Sequence, residues 1–81
     1  MAVGFVLIRN KSGLELDTYK KLSDIDEISE LYQIFGGYDF IAKILADDFN
    51  TIGNIVIHKI RIIEGVLETK TITGMDLFLS K

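Results

Sequence analysis

Phe35-Gly36-Gly37-Tyr38-Asp39 sits almost at the middle of the chain, between Leu31-Tyr32-Gln33-Ile34 and Phe40-Ile41-Ala42-Lys43-Ile44-Leu45-Ala46. Its reading decides the fold. Two glycines between two apolar runs predict a tight hairpin turn, because glycine reaches positive φ without a Cβ clash. The same tip carries a phenol and a carboxylate, Tyr38 and Asp39. A plain turn needs only the glycines and an Asp as turn-former. The extra groups make the tip a candidate binding element.

Working outward, strands are expected over 28–35 and 39–46 on either side of this turn. Residues 2–9, rich in β-branched and aromatic side chains, form an opening strand that ends at Asn10-Lys11-Ser12-Gly13. Ser12 followed by Glu15 is a capping pattern for a short helix over about 14–22, with Leu16, Tyr19 and Leu22 on one face. Asp47 and Asp48 supply a cap and a negative first turn for a longer helix from 48 to 63. Phe49, Ile52, Val56, Ile60 and Ile63 form its apolar stripe. Gly53 interrupts that helix at a cost of up to about 1 kcal/mol. Gly65 is placed to end it. Residues 66–73 form the last strand, with Leu67, Thr69, Thr71 and Thr73 on one face. Met75–Lys81 is left as an extra strand or C-terminal arm.

The resulting order, β-α-β-β-α-β, predicts an α+β, ferredoxin-like sandwich with helices on one face of a four-stranded sheet. The other face should be polar in a monomer. The opening strand is instead apolar on both sides, with Val3, Phe5 and Leu7 alternating against Ala2, Gly4, Val6 and Ile8. Strand 39–46 behaves similarly. One-sided antiparallel sheets alternate cleanly, so the open face is expected to pack on a second copy as a dimeric α/β barrel. Phe5, Val6 and Ile8 are the candidate interface residues.

Composition narrows the chemistry. The 81 residues are read as one domain, 1–81, with 48% hydrophobic residues, no cysteine and a single histidine. Disulfides and thiolate chemistry are excluded, and a His-based metal site within one subunit is disfavoured. A formal net charge of −3 argues against a nucleic-acid footprint. The apolar N-terminus lacks the preceding basic residues and cleavage pattern of a signal peptide, and is too short to span a bilayer. A cytoplasmic protein without membrane contact is therefore expected. The acidic cluster Asp24, Asp26, Glu27 and Glu30 reads as a solvated loop, and His58 as a polar helix flank.

Several pieces then coincide in order and spacing: the opening strand Ala2–Arg9, Leu31–Lys43 (LYQIFGGYDFIAK), His58–Gly65 (HKIRIIEG) and Glu68–Thr73 (ETKTIT). Together they resemble the effector-binding, or RAM, module of the Lrp/AsnC feast/famine transcription regulators. The resemblance covers nearly the whole chain. It implies a non-enzymatic module for sensing a small effector, typically an amino acid, in the regulation of amino-acid metabolism, without a cofactor. It also implies homodimers that assemble further, up to octamers; a pure interaction module that co-assembles with full-length regulators and modulates them is a further reading. Effectors in this family bind in clefts between dimers. Carried onto this chain, the effector residues are Gly36, Gly37, Tyr38 and Asp39 from the turn and Thr69, Thr71 and Thr73 from the last strand. Free N–H groups at a glycine turn suit a carboxylate, Asp39 suits an ammonium, and threonine hydroxyls suit either. Full-length members carry a helix-turn-helix domain before this module. Here Met1 leads straight into the first strand, so a stand-alone module without direct DNA contact is expected.

The plainer readings stay open beside these. Alternating threonines are ordinary on a strand, Tyr38 could simply pack at a subunit contact, and Asp39 could only cap its turn. A small dimeric α/β-barrel enzyme, of the cofactor-independent monooxygenase or muconolactone-isomerase kind, shares this fold. No nucleophile–base pair or carboxylate pair stands in a setting that supports one.

Overall fold

The computed structural model describes residues 1–74; the expectation of an arm at Met75–Lys81 lies outside them. The elements are β1 (Ala2–Asn10), α1 (Glu15–Ser23), β2 (Ile28–Gln33), β3 (Phe40–Ala46), α2 (Phe49–Ile55) with a π-helical turn (Val56–Ile60), and β4 (Val66–Gly74). The strands form one antiparallel sheet in the order β2-β3-β1-β4. This is the expected βαββαβ arrangement, with the first and third strands central.

The core lies between the sheet and the helices. Val6 and Ile8 of β1, Phe40, Ala42 and Ile44 of β3, and Leu22, Ile52, Ile55, Val56, Ile60 and Ile63 from the helical layer are buried. Because side chains alternate across a strand, Val3, Phe5 and Leu7 point to the other side. Val6 and Ile8 are thus covered by this chain's own helices, both at 0% exposure. Their assignment to a dimer interface is corrected: only Phe5 of that trio stands on the open face.

Local expectations fared unevenly. Asp48 caps α2, accepting from the Thr51 N–H at 2.7 Å. That bond and the Thr51 hydroxyl, the larger influence, hold the Asp48 carboxyl below its ordinary range. Ser12 does not cap α1. The N-cap position falls on Leu14, and Glu15 instead accepts from the Gly13 N–H at 2.9 Å, so neither half of the box forms. Leu16 and Tyr19 are exposed, and the buried face of α1 is Thr18 and Leu22. The apolar stripe of α2 is buried except at Phe49.

Gly65 has a different role from the one expected, and Gly4 and Gly53 differ from it and from each other. Gly65 has no positive φ and so is no left-handed cap. It is small because a Cβ there would collide with Thr18 Oγ1 and lie 2.8 Å from Asn10 Oδ1. Those two buried oxygens lack hydrogen-bond partners among the described residues. The Gly65 Cα–H that replaces the Cβ points at them, a weak C–H···O contact. Close approach of helix and sheet occurs at Gly4, whose Cβ would come within 2.9 Å of Ile52. At Gly53, nothing lies within 4 Å of that position.

Candidate functional site

The central turn is longer than a two-residue hairpin. Residues 34–39 link β2 to β3, closed by Ile34 N–H donating to Asp39 O at 2.8 Å. Gly36 and Gly37 have φ of +100° and +107°, so both positions require glycine. Phe35 is 97% exposed at the tip. Among the described residues, the N–H groups of 35–38 make no hydrogen bond within the chain. They are available to an anion, as the sequence suggests.

Asp39 is committed to the fold. Its N–H donates to Ile8 O at 2.8 Å, and its Oδ2 accepts from the Asn10 N–H at 2.7 Å. The β1–β3 ladder ends at the Ile8–Phe40 pair. Beyond it β1 still presents an N–H where β3 has turned away, and the carboxylate supplies the missing acceptor. The turn-forming reading of Asp39 is therefore realised. Tyr38 is half-buried, with the Arg9 guanidinium 5.1 Å from its ring centre. Arg9 Nε also donates to Glu68 Oε1 at 2.9 Å, so it ties the turn to β4.

Thr69, Thr71 and Thr73 pair across the ladder with Ile8, Val6 and Gly4. They therefore face the helix side of the sheet. There they form one wall of a groove of about 360 Å³. The facing wall is Phe49, Gly53, Ile57 and Arg61, and Ile52 and Val56 lie between the walls. The π-helical turn carries this second wall onward, through the bond from Arg61 N–H to Val56 O at 2.8 Å. Arg61 also lines a neighbouring hollow with Val66, Leu67, Glu68 and Thr69. The helix wall was missed at the sequence level. Its signal was legible all the same: 49, 53, 57 and 61 recur every fourth residue, one edge of a helix.

The two halves of the expected site do not meet within one chain. β3 and β4 flank β1 on opposite sides. The turn and the threonines are thus two strand spacings apart, about 10 Å. None of the groove-lining residues belongs to the turn.

The open sheet face is the remaining large surface. By register, Val3, Phe5 and Leu7 sit among Ile41, Leu45 and Ile72. Most of its charges are paired, Lys70 beside Leu7 being the exception among the described residues. Glu30 accepts from Tyr32 Oη at 2.7 Å and from Lys43 Nζ at 3.4 Å, and these contacts, Tyr32 first, hold its carboxyl below the ordinary range. On the helical side, Lys59 bonds both oxygens of Glu27 and lowers that carboxyl likewise. Among the described residues, no cluster of His, Asp and Glu is arranged for a metal ion, and no helix is long and apolar enough to cross a membrane.

Comparison with known proteins agrees with this architecture. The family described as the Lrp/AsnC ligand binding domain matches residues 4–79. An uncharacterized HTH-type transcriptional regulator of Pyrococcus abyssi is 35% identical over 75 residues, covering 89% of this chain and 50% of that protein. The chain thus spans about half the length of this curated relative. The crystal structure of FFRP-DM1 superposes with a TM-score of 0.86 at 28% identity, over 93% of this chain and 100% of that one. E. coli AsnC superposes with a TM-score of 0.85 at 25% identity, over 91% of this chain and 50% of its own. With a family match over most of its length and the β2-β3-β1-β4 sandwich in place, the chain belongs to the Lrp/AsnC ligand-binding domain family.

Proposed function

We propose that this chain is a small-effector sensing and assembly module, that its effector is an amino acid, and that it serves the regulation of amino-acid metabolism. Two copies pack through their open sheet faces, burying Phe5, Leu7 and Ile41 in a dimeric α/β barrel. Pairs of such dimers then bring the Gly36–Asp39 turn of one copy over the threonine groove of another. The carrying observation is the separation of these two elements. The free N–H groups of the turn and the hydroxyls of Thr69, Thr71 and Thr73 lie on either side of β1, so one ligand reaches both only between copies. Such a ligand couples to assembly by mass action, because it binds the assembled state alone. The transcriptional output runs through helix-turn-helix regulators, with which the module co-assembles or of which it forms part.

Light scattering on the purified protein, with and without a mixture of the twenty amino acids, tests this. The expected result is a multiple of the dimer mass that shifts when the mixture is added. A mass indifferent to every amino acid overturns the sensing role.

A further inference from the structure

Gly53 stands in a helix with no packing reason to be glycine. Among the described residues a Cβ there meets nothing within 4 Å, and its φ is not in the left-handed region. Alanine would fit the chain and improve helix propensity. What the missing side chain leaves is space, and that space belongs to the groove lined by Phe49, Ile57 and Thr73.

The groove also has a direction. Ile52 sits on Gly4, and Gly4 pairs with Thr73, so the Gly53 end lies by Thr73. Arg61 shares a second hollow with Thr69, so the other end lies by Thr69. Threonine hydroxyls thus run the length of the groove, while one end is cationic and the other, beside Phe49 and Gly53, is unfilled. Among the described residues, Arg61 is the only charged side chain lining the groove. Among the described residues it enters none of the ion pairs, which engage Arg9, Lys21, Lys43 and Lys59. Gly53 and Arg61 are eight positions apart, about 12 Å along a helix. An extended arginine spans a good part of that, leaving room for a molecule of amino-acid size.

We propose that Arg61 anchors the effector's carboxylate and that Gly53 sets the size of the space for its side chain, so that the groove selects a carboxylate with an uncharged, apolar side chain. This rests on the sensing role proposed above. A guanidinium grips a carboxylate through two parallel hydrogen bonds, which an ammonium cannot reproduce. A charged side chain at the far end would be held against Phe49 and Ile57 without a partner.

Titration calorimetry on the full chain, with each of the twenty amino acids as probe, tests the assignment in wild type, G53A, G53L, R61K and R61Q. The tightest wild-type binder is expected to carry an apolar side chain. For that binder, G53A should weaken affinity several-fold and G53L at least ten-fold, while the melting temperature without ligand rises in both. That pairing separates a groove role from a structural one, since damage to the fold lowers both. R61Q should lose at least ten-fold and R61K less. A charged amino acid as tightest binder, or unchanged affinity in G53L or R61Q, overturns the assignment while leaving the sensing role standing. A wild-type protein that binds none of the twenty overturns both.

Discussion

At the scale of single residues, glycine does three separate jobs here. Gly36 and Gly37 hold a backbone conformation that other residues resist. Gly4 and Gly65 remove a Cβ from a crowded contact, and Gly53 removes one from open space. The test of crowding is Gly65→Ala. The added methyl meets Thr18 Oγ1, Asn10 Oδ1 and, at 3.2 Å, Leu14 Cβ, the first two on buried side chains. Overpacking of this kind costs about 1–3 kcal/mol. Urea unfolding should show that loss with an unchanged slope, and an unchanged midpoint would show that the contact relaxes freely. From sequence, Gly65 looked like a helix terminator, because a glycine after an apolar stripe carries the same letter in either role.

At the scale of elements, the hairpin between β2 and β3 is anchored by Asp39. Its carboxylate substitutes for a ladder carbonyl at Asn10. Asp39→Ala leaves the half-buried Asn10 N–H without that acceptor, a loss of about 1–3 kcal/mol. Asp39→Asn keeps a carbonyl oxygen in the same place and should lose less than half as much. Hydrogen exchange at the Asn10 amide should accelerate in the alanine variant only. Equal protection in both would remove the anchoring role. This comparison also separates the fold from binding. An asparagine variant that is stable yet binds amino acids weakly would assign the charge to the effector. The long helix illustrates a different limit. Its apolar stripe predicted a continuous helix to 63, yet the chain passes into a π-helical turn at Val56. Periodicity shows which residues are buried, and it is nearly the same for α and π turns over so short a span.

At the scale of the whole molecule, the sheet has one face covered by helices and one apolar face open. Neighbours in sequence divide between them: Val6 is fully buried, while Phe5 is 38% exposed on the open side. Val6→Lys places a charge in the core, at several kcal/mol, and should unfold the chain. Phe5→Lys should leave far-UV circular dichroism intact and reduce the mass in light scattering to that of a monomer. A Phe5→Lys protein that keeps the wild-type mass would end the sheet-to-sheet dimer. The pre-paired charges at the margin of this face, Arg9 with Glu68 and Lys43 with Glu30, leave few bare charges to desolvate when it is covered.

The order of elements, the glycine turn, the Asp48 cap and the alternation of β4 were all legible in the sequence, because each follows from bonds and sterics among residues close along the chain. So was the candidate site as a set of residue types. Which alternating set of β1 faced the helices was not legible, since both sets are apolar and only helix placement distinguishes them. The four-residue spacing of the groove's helix wall was legible, but its role was not, because those residues form a wall only when β4 lies opposite. The separation of Tyr38 and Asp39 from Thr69, Thr71 and Thr73 was likewise decided by strand order alone. Local chemistry specifies the elements. The face each residue presents depends on contacts far apart in sequence, and those exist only once the sheet has formed.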